Sequence, residues 1–275
     1  MSRNNQMQKN DHVPGILVNI WKNWRQPGGR GPCADCPAHW SRRDDIPDDA
    51  SNKNHSYGMD PWYGDGSLDA EIVIVGEEPG TKEADPNDNR TDQKFSRSSQ
   101  VTDVSDDSGI IRYLDVFFEH LQESNKAAYW TEMKKCNEIA DNTDENTRAQ
   151  EVCCGLDKGR AYLAEELSVI DPDIVVPLGE PATENLLKLY NLGISWKKDF
   201  STDIANGSAP SGIHKIRSHS APFDIVPISH PGQGFSNIPK TIRNIDGEYK
   251  SKKRNYYFQV AKDIITMSDA DISHK

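Results

Sequence analysis

Four short runs rich in apolar and β-branched residues, 70–75, 127–133, 173–178 and 223–228, are each closed by turn-forming residues. Runs of this length and character fit strands buried on both faces, the condition of a parallel sheet. Between them, apolar residues recur at helical spacing: Ile110, Ile111, Leu114, Phe117, Phe118 and Leu121 in 109–121, then Ala161, Leu163, Leu167 and Ile170 in 159–170. A third pattern covers 181–190 through Ala182, Leu186, Leu187 and Leu189. A fourth helix is predicted over 249–267, where Tyr256, Tyr257, Val260, Ile264 and Ile265 are placed to pack on the sheet. Strands alternating with helices predict an α/β fold, a three-layer α/β/α sandwich around a four-stranded parallel sheet.

Length and charge narrow the class. A chain of 275 residues accommodates one large domain, and a single domain over 1–275 is expected. Residues 1–30 read as a polar, partly flexible N-terminal extension, and 84–107 and 195–220 as long surface loops. No apolar run approaches the roughly 18 residues that a membrane span requires. Residues 1–12 lack the apolar segment of a secretory signal, so a cytoplasmic, reducing setting is expected, with no membrane partner. Five cysteines in that setting point to metal or redox chemistry before disulfides. The formal charge of −11, from 32 Lys and Arg against 43 Asp and Glu, argues against sequence-blind nucleic-acid binding over the whole surface. It leaves local patches open.

Each predicted strand runs into a distinctive cluster: Gly76-Glu77-Glu78-Pro79-Gly80, then Glu132 to Cys136, then Leu178-Gly179-Glu180-Pro181, then Ser229-His230-Pro231-Gly232. Open parallel sheets bind ligands outside the carboxyl ends of their strands, so the four clusters are expected to wall one cleft. Gly76 and Gly80 allow backbone to come close to a ligand, although taken alone they are better explained by a tight strand-to-helix turn. No Gly-Lys-Ser or Gly-Lys-Thr follows, which excludes a phosphate loop. His230 sits at a strand end and is a candidate proton handler or neutral donor. Glu77 and Glu83 flank the first glycine loop, where a carboxylate can orient water or face positive charge; solvation is the competing reading for Glu83.

The cysteines fall as Cys33 and Cys36 in a Cys-x-x-Cys spacing, then Cys136, then Cys153 and Cys154. Two thiolates at that spacing suit one metal or cluster, and the later cysteines can complete four ligands with one thiol to spare. Zinc competes with iron–sulfur, and His39 is an alternative ligand.

The ordered set resembles the uracil-DNA glycosylase superfamily, and most of all its iron–sulfur branch, often called family 4. The matching stretches are Cys33-Ala-Asp-Cys36, Tyr63-Gly64-Asp65-Gly66, the run Ile72 to Val75 followed by Gly76-Glu77-Glu78-Pro79-Gly80-Thr-Lys-Glu83, Thr131-Glu132-Met-Lys-Lys135-Cys136, Pro172 to Gly179, and Ser229-His230-Pro231. They resemble the family's Phe-Gly-Glu-Gly, Gly-Glu-Ala-Pro-Gly-x-x-Glu, Thr-Asn-x-x-Lys-Cys, Pro-x-x-Ile-x-x-Leu-Gly and His-Pro patterns.

The resemblance implies a four-iron four-sulfur cluster on Cys33, Cys36, Cys136 and either Cys153 or Cys154, with zinc as the alternative. It implies Phe95 as the ring that stacks on an extruded base, and base contacts from Gly76, Gly80 and position 132. There this chain departs from the family: Glu132 stands where the asparagine that reads uracil is expected. An amide offers a donor and an acceptor, an ionised carboxylate only acceptors. The activity implied is that of a DNA-repair glycosylase that flips out a damaged base, uracil first, and hydrolyses its N-glycosidic bond, with Glu77, Glu83 and His230 catalytic. The alternatives are a DNA-binding iron–sulfur or zinc relative without base excision, and a glycosylase for another deaminated base. Between 240 and 254, six basic residues (Lys240, Arg243, Lys250, Lys252, Lys253 and Arg254) stand against Asp246 and Glu248. Of these, Lys240, Arg243, Lys252, Lys253 and Arg254 are candidates for the DNA backbone, against the reading of a solvated helix face. The partner expected is DNA carrying a damaged base, met by a monomer.

Overall fold

A computed structural model of the protein describes residues 65–77, 111–134, 162–194, 209–231 and 244–272. In chain order these hold β1 (Asp65–Gly66), β2 (Ile72–Gly76), α1 (Ile111–Glu123), β3 (Ala128–Glu132), α2 (Tyr162–Ile170), β4 (Ile174–Pro177), α3 (Gly179–Leu189), β5 (Asp224–Ile225) and α4 (Lys252–Ile272). The sheet order is β1-β3-β2-β4-β5. The last four strands in that row are mutually parallel, the four-stranded parallel sheet expected from the apolar runs. β1 adds an antiparallel edge, with Asp65 opposite Trp130 and Gly66 opposite Tyr129. Two residues carry no periodicity, so this strand has no sequence signal.

Alternation along the strands divides the core into two layers. Ile72, Ile74, Trp130, Ile174, Val176 and Val226 face one side and pack with Leu114, Phe117 and Leu121 of α1 and Tyr256, Tyr257, Val260 and Ile264 of α4. Val73, Val75, Tyr129, Val175 and Ile225 face the other and pack with Leu163, Leu167 and Ile170 of α2 and Ala182, Leu186 and Leu187 of α3. Each fully buried Val, Leu or Ile contributes roughly 1.5–3 kcal/mol, so both sheet faces demand a helical cover.

Helix ends explain how the chain turns back into strands. Asn125 and Asn191 adopt left-handed φ of 56° and 52°. Beyond them Lys126 N donates to Leu121 O at 2.8 Å, and Leu192 N to Leu187 O at 3.0 Å. Asparagine tolerates this conformation and closes α1 and α3 as glycine does elsewhere. The start of α4 differs from the expected residue 249. Asn255 accepts from Tyr249 N at 2.8 Å and donates to Tyr249 O at 2.9 Å, which holds 249 in the preceding turn.

Part of the expected loop 195–220 packs against the sheet. Ile216 forms an antiparallel bridge with Ile225, and Ile213, Ile216 and Ser211 are buried. Edge pairing recruits this segment, which its polar composition conceals. Among the described residues no helix is long and apolar enough to cross a membrane.

Candidate active site

Register brings the carboxyl ends of the parallel strands level. Gly76 pairs with Glu132, Val75 with Pro177, and Leu178 bridges Ile228. Backbone pairing continues past the strands: Met133 N donates to Gly76 O and Lys134 N to Glu77 O, both at 3.0 Å, and Gly179 N donates to Ile228 O at 2.8 Å. At spacings of about 4.8 Å, three strand intervals place Glu132 and His230 on opposite sides of an edge about 14 Å wide. Gly76, Glu77 and Gly179 lie between them. α3 opens at this edge with Leu178 as N-cap and no side-chain cap bond, so the positive end of its backbone dipole belongs to the same rim.

Glu132 is buried, 6% exposed. Trp130, two residues earlier on the same strand face, donates its indole Nε1–H to Glu132 Oε1 at 2.7 Å. The carboxylate lies across the end of β2. A Cβ on Gly76 would fall 2.6 Å from Glu132 Cδ, with Oε2 the nearest atom. The close approach that Gly76 permits is therefore that of a carboxylate from the neighbouring strand. On the opposite face, Tyr129 Oη and Thr131 Oγ1 donate to Glu166 of α2 at 2.6 and 2.8 Å. This buried contact ties β3 to its covering helix just before Glu132.

His230 is half-buried, and that burial pushes its imidazole below the ordinary 6.5, because a desolvated ring disfavours the charged form. It is neutral at pH 7 and offers one N–H donor. Its loop is held from below and from one side. Gly179, at φ 78°, lies so that a Cβ would meet His230 Cβ at 2.9 Å. From α4, Tyr257 Oη donates to Ser229 O at 2.8 Å and Lys253 Nζ to Pro231 O at 3.3 Å.

The described site residues thus divide into two groups. Gly76, Glu77, Glu132 and His230 share the strand-end rim. Lys252, Lys253 and Arg254 open α4 and have contacts of their own: Lys252 is exposed and donates to Asn244 Oδ1 at 2.9 Å. Arg254 pairs with Asp115 at 2.8 Å and stacks over Tyr249, 4.9 Å from the ring centre. Gly80, Glu83, Phe95, Cys33, Cys36, Cys136, Cys153, Cys154, Lys240 and Arg243 lie outside the described residues. Among the described residues no group of three His, Cys, Asp or Glu side chains is arranged to hold a metal.

Sequence reasoning missed Trp130, Glu166 and Tyr257 as site-supporting residues, and placed Gly179 in the cleft wall without its contact to His230. Trp130 carried a usable signal, since strand residues two apart share a face. Glu166 and Tyr257 act across 37 and 28 residues of sequence, and no local pattern marks such pairs.

Two comparisons with known proteins bear on this arrangement. The sequence model of the uracil DNA glycosylase superfamily matches residues 63–242, which include all four strand-end clusters. The chain is also similar to the Type-4 uracil-DNA glycosylase of Thermotoga maritima, 23% identical over 226 residues, covering 82% of this chain and 88% of that protein.

Proposed function

The chain belongs to the uracil DNA glycosylase superfamily, and on that premise we propose that it is a DNA-repair glycosylase. It takes a damaged base out of the DNA stack and hydrolyses the N-glycosidic bond joining that base to its sugar. The observation that supports this reading is the meeting of Gly76, Glu77, Glu132 and His230 along one strand-end rim. Extrusion is required because stacking shields the bond, and a mispaired or damaged base lowers its cost of a few kcal/mol.

In this reading the neutral imidazole of His230 donates to negative charge developing on the departing base. Such a donor is strongest in a dry pocket and costs no reorganisation when it is already oriented. Glu77 and Glu83 place water against the sugar as positive charge grows there. Gly76 and Gly80 hold the base edge with backbone, Phe95 stacks on its face, and Glu132 reads its polar rim. Lys240, Arg243 and Lys252 contact phosphates, while Lys253 and Arg254 brace the start of α4 through Pro231 and Asp115.

Cys33, Cys36, Cys136 and Cys153 or Cys154 form a four-thiolate donor set, a chemistry that suits a four-iron four-sulfur cluster and also zinc. Such a centre ties distant segments together. Iron and acid-labile sulfide in the purified protein support the cluster; stoichiometric zinc replaces it. The working form is a cytoplasmic monomer.

The test uses synthetic DNA with one uracil, hypoxanthine, xanthine or ethenocytosine, followed by alkaline cleavage at abasic sites. Base release from at least one substrate, reduced 10²–10³-fold by His230→Ala, is expected. Absence of abasic sites on every substrate, damaged cytosines included, overturns the reading and leaves a DNA-binding relative.

A further inference from the structure

We infer that Lys253 is a positioning residue for His230: together with Tyr257, one turn later on α4, it clamps the two backbone carbonyls on either side of the histidine. Its effect falls on the rate of base release and not on the DNA backbone. The inference deepens the glycosylase reading and rests on it for the role of His230.

Pairing within the sheet reaches its end just before the histidine, where Leu178 bridges Ile228 and Gly179 N donates to Ile228 O at 2.8 Å. Beyond that point α4 supplies partners. Tyr257 Oη donates to Ser229 O at 2.8 Å, and Lys253 Nζ donates to Pro231 O at 3.3 Å. Residues four apart share a helix face, so one face of α4 meets the carbonyl before His230 and the carbonyl after it. The clamp is itself braced. Arg254 Nη2 pairs with Asp115 of α1 at 2.8 Å, and the Tyr257 ring lies edge-on to Tyr256 with centroids 5.1 Å apart. Burial pushes the Tyr257 hydroxyl well above its ordinary 10, which keeps it a donor at working pH.

The run Lys252-Lys253-Arg254 is uniform in sequence and divided in space, because successive helix residues point roughly 100° apart. Lys252 is exposed, as a phosphate contact requires. Lys253 is half-buried and turned to the Pro231 carbonyl, and Arg254 is turned to Asp115. Gly179 already gives the imidazole a floor, where a Cβ would meet His230 Cβ at 2.9 Å. A floor limits the side chain from one direction, whereas anchors on both neighbouring carbonyls fix the backbone that carries it. A donor aimed at developing charge must be oriented in advance, and a displacement of about 1 Å costs on the order of 100-fold in rate.

Lys253→Met keeps the stem and removes the donor. Single-turnover release at saturating protein is measured on DNA carrying uracil, hypoxanthine, xanthine or ethenocytosine, and affinity for a uracil-containing duplex is measured over a range of salt. Lys253→Met is expected to slow release about 10-fold to 100-fold with affinity and salt slope as in the parent, and Lys253→Arg, which can donate to the same carbonyl, to recover most of that loss. Lys252→Ala is expected to flatten the salt slope by about 1. In a His230→Ala background, adding Lys253→Met is expected to slow release by less than about twofold, because the residue it positions is gone. An equal loss in both backgrounds, or a salt slope flattened by Lys253→Met, overturns the inference. Imidazole NMR signals of His230, assigned by their absence from His230→Ala, give a readout independent of turnover. They are expected to move in Lys253→Met and in Tyr257→Phe and to stay in place in Lys252→Ala. If no protein releases any base, the glycosylase reading fails while these signals still decide the clamp: signals unmoved by Lys253→Met overturn it.

Discussion

The backbone of Gly179 lies directly against the side chain of His230: a Cβ at Gly179 would stand 2.9 Å from His230 Cβ, and its φ of 78° is one that other residues adopt only with strain. The left-handed turn that launches α3 is also the floor on which the histidine rests. Gly179→Ala is expected to cost about 1–3 kcal/mol, seen as a lower urea midpoint, and to reduce base release further than the stability loss explains. An alanine variant with unchanged midpoint and unchanged release would show that the floor is not needed.

Burial holds His230 below its ordinary 6.5, and the sign of the consequence is fixed. Above pH 6.5 both folded and unfolded chains carry the neutral ring. As pH falls below 6.5 the unfolded chain takes up the proton first, so folding stability drops until the folded ring protonates as well. Parent protein is expected to lose more stability than His230→Asn between pH 7.5 and pH 5, measured by urea unfolding. Parallel pH dependences for the two proteins would remove the imidazole as the cause. Base release is expected to fall over the same range, because a charged ring no longer matches its buried place.

Tyr257 is fully buried and donates to Ser229 O at 2.8 Å, which fastens the His230 loop to α4. Tyr257→Phe keeps the ring and removes the donor, leaving a buried carbonyl without it, at a cost of about 1–3 kcal/mol. Turnover is expected to decline while the ratio between substrates stays as in the parent, since Glu132 is untouched. A shifted substrate ratio would contradict this separation of roles.

At the opposite edge of the sheet, Lys126 joins β3 to α4. Its ammonium meets Glu71 Oε2 at 2.7 Å, Asp269 Oδ1 at 2.9 Å and Ser268 Oγ at 3.2 Å. Burial alone would lower its pKa, but the bonds to Glu71 and Asp269 outweigh that and hold it above 10.5. Glu71 is 37% and Asp269 60% exposed at the side chain, so solvent screening leaves about 1–2 kcal/mol for Lys126→Met to remove. That stability is present below pH 10.5 and is lost as pH rises through the folded value. The gap between parent and variant in thermal unfolding is therefore expected to close above pH 10.5, with base release unaffected at neutral pH. A constant gap would assign the effect to packing of the lysine stem.

The parallel strands and their covering helices are legible in the amino-acid sequence alone. Runs such as Ile72 to Val75 and the recurrence of Leu163, Leu167 and Ile170 encode burial on two faces and on one stripe, both properties of near neighbours in the chain. The positions of Gly76, Glu132 and His230 at strand ends followed from the same local signals. Strand order, and what stands beside what, came only with the tertiary structure. That Glu132 fills the space over Gly76 across 56 positions, that Tyr257 holds Ser229, and that Gly179 supports His230 are consequences of β2 lying between β3 and β4, and of α4 returning over the sheet. Local periodicity states which face of an element is buried. It carries no information about which other element buries it, because that choice is made by the summed packing of segments that chain connectivity leaves far apart.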